Sequence, residues 1–219
     1  MTAGKLKVGV LISGRGSNLQ ALIDACADPG FPATIALVVS NVAGAFGLKR
    51  AEKAGIPAVV IDHKAFPSRA RFDDAIDAAL REAGVGFVCL AGFMRNLSES
   101  FVERWRDRLI NIHPSLLPAF KGLDTHQRAL DAGVAITGCT VHFVRPAMDD
   151  GPIIVQAAVP VLPGDDAGRL ADRILASEHV IYPLALRLIA EGKVTVAGDK
   201  TVRRDGAPSA GRLINPSPG

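Results

Sequence analysis

Short runs of almost continuously apolar residues alternate along this chain with segments of helical periodicity, and that alternation restricts the folds it can adopt. The apolar runs are 5–12, 34–41, 57–62, 86–92 and 109–112, and a segment with helical spacing follows each of the first three. A strand that is apolar on both faces must be covered on both faces, which favours a parallel sheet between two layers of helices. The pattern therefore predicts an α/β fold with a Rossmann-like, mostly parallel sheet and helices on both faces.

The alternation stops after the fifth run. TGCTVHFV and PIIVQAAVPV are separated only by the turn RPAMDDG (145–151), so these two runs predict an antiparallel hairpin. A long amphipathic helix is predicted at 166–192, with a bend near Pro183, and KVTVAGDKTVRR (193–204) predicts a last small hairpin. The fold class thus includes an antiparallel C-terminal part.

The composition fits one soluble domain. The chain has 219 residues, of which 48% are hydrophobic, and its net charge of +3 suits a small anionic ligand better than a nucleic acid. The three cysteines form no CxxC pair, and no segment has a secretory or membrane-spanning layout. We therefore expect a cytoplasmic protein without a nucleic-acid or membrane partner. We expect a single domain over 1–198, and the end of the hairpin with a loose tail over 199–219.

The loop SGRGSN (13–18) joins the first strand to the first helix. Gly14 and Gly16 allow a sharp turn and a close approach of the backbone to a ligand, and the helix that starts near Ser17 directs its free N–H groups there. This arrangement favours a phosphate over a plain tight turn with Ser17 as helix cap. A dinucleotide is disfavoured, because Leu19 replaces the third glycine and the second strand ends without an acidic residue. A single phosphate ester fits better.

The fifth apolar run ends in polar side chains, which packing in a buried core does not require. Asn111 and His113 lie at the carboxyl end of this strand, and the turn that holds Asp149 and Asp150 can reach the same edge of the sheet. A histidine next to a carboxylate is a general acid–base pair, and an asparagine amide can donate to a developing oxyanion. The alternatives are a structural histidine and ordinary turn aspartates.

A metal site is a further alternative for the histidines. His113, His126, His142 and Asp149 could in principle act as ligands, but no close H-x-H or H-x-x-x-H spacing supports this. We therefore predict no metal.

Taken together, the motifs resemble the phosphoribosylglycinamide formyltransferase family. The matching stretches are VLISGRGSNLQALIDA, AGFMRNLS, NIHPSLLPAFKGLDTH, GCTVHFV, MDDGPII and SEHVIYPL, which run from residue 10 to about 185. The resemblance implies that the formyl group of 10-formyltetrahydrofolate, the formyl-donor co-substrate, is transferred to the amine of 5-phosphoribosylglycinamide, a step of de novo purine synthesis. It implies small-molecule substrates and leaves a monomer or a homodimer open.

The resemblance also implies residue roles. The implied catalytic residues are Asn111, His113 and Asp149. The implied phosphate-binding residues are Gly16, Ser17 and Asn18, and Glu178 is expected to hold the glycinamide end. The implied folate-binding residues are Arg69, Met94, Arg95, Asn96, Leu97, Val144 and Met148.

The chain departs from the family pattern at two positions. Asp124 stands where many relatives have histidine, and Asp150 stands where many have glycine. Asp124 lies in the loop 119–126, which we expect to be a mobile lid. His126 matches the family, but the sequence assigns it no role.

Four rival functions are considered. A formyltetrahydrofolate hydrolase is expected to carry an extra N-terminal regulatory domain, whereas here the first strand begins at about residue 5. A methionyl-tRNA formyltransferase is expected to carry a C-terminal tRNA-binding domain. A non-catalytic binder of phosphorylated metabolites would need the glycine loop but not Asn111, His113 and Asp149 together. An NAD dehydrogenase would need the missing acidic residue.

Overall fold

A seven-stranded sheet forms the centre of the molecule, with strand order β3-β2-β1-β4-β5-β6-β7. The computed structural model describes residues 4–204 and residue 211. The strands are β1 (Leu6–Ile12), β2 (Ala33–Ser40), β3 (Ala58–Val60), β4 (Phe87–Leu90), β5 (Leu109–His113), β6 (Ile136–Phe143), β7 (Ile153–Pro160), β8 (Val194–Ala197) and β9 (Lys200–Arg203). The helices are α1 (Ser17–Ala27), α2 (Phe46–Lys53), α3 (Arg69–Glu82), α4 (Glu99–Arg104), α5 (Thr125–Asp131) and α6 (Ala167–Ala190).

The predicted mostly parallel sheet is confirmed. Strands β1 to β5 pair in parallel, and β6 pairs antiparallel with both β5 and β7. The predicted hairpin therefore extends the main sheet, while β8 and β9 form a separate antiparallel pair. The short helices α4 and α5 were not predicted, because six and seven residues are too few to show a helical period.

Two apolar clusters cover the two faces of the sheet, as the sequence predicts. On one face, β-strand residues pack with Leu22 of α1 and Ile174 of α6. On the other, they pack with Ile76 of α3 and Trp105, whose indole Nε1 donates to Asp77 Oδ1 at 2.8 Å. The parallel strands are thereby shielded from water on both sides.

A capping side chain and glycines with positive φ mark the ends of helices α2 and α3. The Ser68 hydroxyl accepts a hydrogen bond from the Arg71 backbone at 3.3 Å, and Gly55 and Gly84 follow α2 and α3 with φ of 67° and 66°. Helix α6 runs unbroken through Pro183, whose predicted bend stays a prediction.

Buried Tyr182 of α6 ties this helix to the centre of the sheet. Its hydroxyl lies 2.9 Å from the Leu90 carbonyl of β4 and 3.5 Å from the Ile110 carbonyl of β5. Burial raises the pKa of this phenol well above its ordinary value, so the hydroxyl keeps its proton at neutral pH and can donate a hydrogen bond. The same helix is therefore fixed to two neighbouring strands, at the last residue of β4 and at the second residue of β5.

The cysteines are free thiols, as expected from the absence of a CxxC pair. Cys89 and Cys139 are buried and Cys26 is half-buried. Burial raises the pKa of Cys26 to about 11 and that of Cys139 to about 12, which makes both poor nucleophiles. No helix among residues 4–204 is both long and apolar enough to cross a membrane.

The expected loose tail lies mostly outside the described residues. Within them, β9 is attached to the main sheet, since the Thr201 hydroxyl donates to the Ile153 carbonyl at 2.7 Å. The division into 1–198 and 199–219 stays a prediction.

A bidentate ion pair anchors the start of α6. The Asp165 carboxylate accepts from Arg173 at 2.6 and 2.9 Å and from the Leu162 backbone at 2.8 Å. The bonds from the Arg173 guanidinium lower the pKa of Asp165 to about 2. A carboxylate with a lowered pKa stabilises the fold above its unfolded pKa of about 4, and this contribution is lost as the pH falls through about 2.

We therefore expect Asp165→Asn to lower the melting temperature at pH 7, and the difference from the wild type to shrink between pH 4 and pH 2. Thermal unfolding followed by circular dichroism from pH 7 downwards measures this. Asp166→Asn is the matched control, because Asn caps a helix as well as Asp does and should leave stability nearly unchanged. A difference for Asp165→Asn that does not depend on pH would contradict the assignment.

Candidate active site

The carboxyl ends of β1, β4 and β5 lie side by side and open onto two clefts, of about 350 and 260 Å³. At two places in the site, residues that are adjacent in sequence line different clefts. Ile112 lines the first cleft and Asn111 the second, and Met94 lines the first while Phe93 and Arg95 line the second. For Asn111 and Ile112 this follows from the extended backbone of β5, in which successive side chains point to opposite sides.

The predicted phosphate loop forms one wall of the first cleft. Gly16 has φ of 68° and immediately precedes α1, and the cleft is lined by all residues from Ser13 to Asn18. Helix α2 supports the loop from behind, since the Gly47 backbone donates to the Gly14 carbonyl at 3.0 Å. No side chain caps α1, so its free first-turn N–H groups and its positive dipole end are available to an anion.

Two of the predicted substrate-binding residues contact each other. The Asn18 amide Nδ2 donates to Glu178 Oε2 at 2.7 Å, although the residues are 160 positions apart in sequence. Both are buried, and burial raises the pKa of Glu178 while the Asn18 bond opposes this shift. Asn18 therefore positions Glu178 at the cleft wall, in addition to lying in the loop itself.

The predicted histidine–aspartate pair is present. His113 Nδ1 lies 3.4 Å from Asp149 Oδ1, and His113 Nε2 lies 3.0 Å from the Phe120 carbonyl. The second Asp149 oxygen accepts from the Gly122 backbone at 2.6 Å. Both ring nitrogens of His113 face oxygen acceptors, so the ring can donate two hydrogen bonds when it carries both protons.

Asn111 lies two residues before His113 on β5, so the two side chains are on the same face of the strand. The Asn111 amide Nδ2 is 3.4 Å from Nε2 of His142, which is buried on the neighbouring strand β6. The structure thus brings the three predicted catalytic residues to one edge of the sheet.

The second cleft contains most of the predicted folate-binding residues. Asn111 and Asp149 reach its wall, so it adjoins the predicted catalytic residues. The predicted residues that line it are Arg69, Arg95, Asn96, Leu97, Val144 and Met148. Met94 is the exception, because it lines the first cleft instead, where its backbone N–H donates to the Ser13 hydroxyl at 2.8 Å.

Several cleft residues were missed by the sequence analysis. Ser13, Asp172 and Leu175 line the first cleft, and His142 and Arg145 line the second. A helical period would have indicated Leu175, because it lies three residues before Glu178 on α6 and so shares its side of the helix. The sequence indicated His142 only as a possible metal ligand, and no local signal placed it in the second cleft.

The segment expected to be a lid is part loop and part helix. Helix α5 begins at Thr125, and His126 lines the first cleft, where burial and the charge of His113 lower its pKa. Lys121 pairs with Asp150 at 2.7 Å, which links this segment to the hairpin turn 145–151. Asp124 directly precedes α5 with φ of 55°. The mobility of the segment stays a prediction.

Within the described part of the chain, no three His, Cys, Asp or Glu side chains are grouped as a metal site would require.

The chain matches the model of the formyl transferase family over residues 6–186. It is 45% identical over 188 residues to the phosphoribosylglycinamide formyltransferase of Haemophilus influenzae, covering 86% of this chain and 89% of the relative. It is also 54% identical over 190 residues, or 87% of its length, to the trifunctional purine biosynthetic protein adenosine-3 of Homo sapiens. The chain spans only 19% of that longer protein.

Solved structures show the same similarity. The crystal structure of glycinamide ribonucleotide transformylase 1 from Symbiobacterium toebii is 50% identical, with a TM-score of 0.90, and the match covers 92% of this chain and 95% of that one. The phosphoribosylglycinamide formyltransferase of Anaplasma phagocytophilum is 48% identical, with a TM-score of 0.86, and the match covers 93% and 97% of the two chains.

Gly16 offers a test of the loop geometry. A Cβ added at Gly16 would lie 2.6 Å from the Gly47 Cα, and its φ is positive, so we expect Gly16→Ala to destabilise the protein by roughly 1–3 kcal/mol. The loop would be displaced, and inorganic phosphate should bind more weakly, as measured by calorimetry. Gly14→Ala is the matched control, because nothing lies within 4 Å of a Cβ at that position. Equal stability of the two variants would refute the close approach of α2.

Proposed function

Because the chain belongs to the formyl transferase family, in which its bacterial relatives are phosphoribosylglycinamide formyltransferases, we propose that it transfers the formyl group of 10-formyltetrahydrofolate to the amine of 5-phosphoribosylglycinamide. The products are formylglycinamide ribonucleotide and tetrahydrofolate, and the reaction belongs to de novo purine synthesis. One observation carries the proposal: His113 pairs with Asp149, and Asp149 and Asn111 line a cleft beside the one that is walled by the glycine loop at the start of α1. The match to 89% of the Haemophilus influenzae enzyme supports it.

In this proposal the ribonucleotide occupies the first cleft. Its phosphate accepts from the loop of Gly16, Ser17 and Asn18 at the start of α1. The Glu178 carboxylate, held by Asn18, accepts from the glycinamide end. The attacking amine then points towards the end of β5, where His113 lies.

The formyl donor occupies the second cleft. Apolar side chains such as Leu97, Val144 and Met148 cover its ring system, and Arg69 and Arg95 supply positive charge at the cleft wall for the donor's carboxylates. The exposed backbone of the hairpin turn 145–151 offers donors and acceptors to the pterin edge. The position of Met94 at the border suggests contact with both substrates.

The chemistry follows from the three polar groups. The amine attacks the formyl carbon, a C–N bond forms, and negative charge grows on the carbonyl oxygen. Asn111 and the protonated His113 donate to this oxygen, and Asp149 keeps the imidazole oriented. The C–N bond to the folate nitrogen then breaks, and the His113–Asp149 pair transfers the proton that the amine loses to the leaving nitrogen through water.

In the structure, His113 Nε2 faces the Phe120 carbonyl rather than the second cleft. For Nε2 to reach the formyl oxygen, the segment 119–126 has to shift when the substrates bind. This requirement fits the lid predicted from the sequence.

We also infer that the enzyme is cytoplasmic, works on small molecules as a monomer or homodimer, and needs no nucleic acid, membrane or metal. The low net charge of +3 is consistent with this.

The direct test is to incubate the purified protein with 10-formyltetrahydrofolate, with and without the ribonucleotide. We expect tetrahydrofolate to be released only when the ribonucleotide is present, together with one equivalent of formylated product detected by mass spectrometry. Release without the ribonucleotide would indicate a hydrolase instead. No release under either condition would indicate a binding protein, and either result would reject the proposal.

The catalytic assignment predicts that His113→Ala and Asp149→Ala each lower kcat by at least about a hundredfold, because each removes part of the acid–base pair. Steady-state kinetics with both substrates measures this, and thermal unfolding checks that the variants are folded. Asp150→Ala is the matched control. Its carboxylate forms only a surface pair with Lys121, so its loss should change kcat by no more than a few fold. A kcat near that of the wild type in either catalytic variant would contradict the mechanism.

A further inference from the structure

Asn111 serves the proposed reaction only if its amide presents an N–H to the substrate rather than its oxygen. The two ends of an asparagine amide have almost the same shape, so packing alone does not decide which end faces the cleft. A neighbouring group has to distinguish a donor from an acceptor.

His142 is placed to make this distinction. It lies directly opposite Asn111 in the antiparallel pairing of β5 and β6, and both residues line the second cleft. Its Nε2 is 3.4 Å from Asn111 Nδ2. Since the residue is only 1% exposed, it exchanges hydrogen bonds with its protein neighbours rather than with bulk water.

The hydrogen-bond partners of His142 determine its tautomer. Its Nδ1 lies 3.0 Å from the Phe143 carbonyl, which can only accept, so Nδ1 carries a proton. Burial lowers the pKa of His142 and favours the neutral ring, although the Phe143 and Asp150 carbonyls and the Asp149 carboxylate act in the opposite direction. A neutral ring protonated at Nδ1 has an acceptor at Nε2. That acceptor matches an N–H of Asn111 and disfavours the amide oxygen.

We propose that His142 is a positioning residue, which orients the Asn111 amide by accepting one of its two N–H groups at Nε2. The second N–H of Nδ2 is then left for the oxyanion. A reversed amide would place two acceptors against each other at the strand pair and would turn the Asn111 oxygen towards the developing negative charge. The inference rests on the proposed function, because it gives the orientation of Asn111 a role in that reaction.

Three substitutions separate this role from simple packing. His142→Phe keeps a ring but has no acceptor. His142→Gln places an amide oxygen near the position of Nε2, and His142→Asn carries the same amide one methylene shorter, so that it cannot reach Asn111. The Gln and Asn variants thus form a matched pair with the same chemistry and different reach.

We expect His142→Phe and His142→Asn to lower kcat by about a hundredfold to a thousandfold, the range for loss of one oxyanion donor, with the KM of both substrates changed less than about threefold. His142→Gln should recover most of the lost kcat. Wild-type kcat in His142→Phe, or equal losses in the Gln and Asn variants, would overturn the proposal. Melting temperatures establish that the compared variants are folded.

A second measurement does not depend on catalysis or on the folding of any variant. In the wild-type protein with ¹⁵N-labelled histidine, NMR at neutral pH should show the His142 ring protonated at Nδ1 and bare at Nε2. A proton on Nε2 would overturn the proposal. If the wild-type protein transfers no formyl group, the proposed function fails, whereas this spectrum still decides whether His142 can accept from Asn111.

Discussion

The hydroxyl of Tyr182 links the helix and the strands on which the candidate site is built. It donates to the carbonyl of Leu90, the last residue of β4, and lies 3.5 Å from the carbonyl of Ile110 in β5, one residue before Asn111. One helical turn earlier, Glu178 of the same helix accepts from Asn18 at the start of α1. Helix α6 therefore sets the distance between the predicted phosphate loop and the strand ends that carry the predicted catalytic residues, and the apolar packing around it holds these groups in a fixed arrangement.

The two histidines at this edge are buried, and each polar side chain there forms a hydrogen bond or an ion pair with a neighbour. Asp149 uses one oxygen for His113 and the other for the Gly122 backbone, and His142 is held between Asn111 and the Phe143 carbonyl. Unpaired polar groups at such depth would be costly, so these bonds serve stability as well as orientation. The same bonds attach the segment 119–126 and the hairpin turn 145–151 to the catalytic residues.

Much of the architecture could be predicted because its signals are local. Continuous apolar runs predicted the parallel strands, the absence of a helix before the PIIVQAAVPV run predicted the antiparallel pair, and the family and fold are confirmed. Helices α4 and α5 are too short to show a period. The Asn18–Glu178 bond joins residues 160 positions apart, so no local pattern contains it.

The site was predicted in outline only. The strand-end rule brought Asn111, His113 and Asp149 together, but the cleft that each neighbouring residue lines depends on the alternation of side chains. That alternation places Ile112 in the first cleft, while Asn111 reaches the second. The contribution of His142 depends on the register between β5 and β6, and the apolar pattern of two separate strands does not determine which residues face each other.

The alternation of cleft-lining residues at the end of β5 also has a consequence for how two reactants can be held. The end of strand β5 lies between the two clefts, with Ile112 lining the first cleft and Asn111 lining the second. A ligand can then bind in either cleft without displacing a ligand from the other cleft. In the proposed reaction, the formyl group has to cross only the width of one strand between the two clefts. Direct transfer from the donor to the amine then requires no covalent intermediate on the protein.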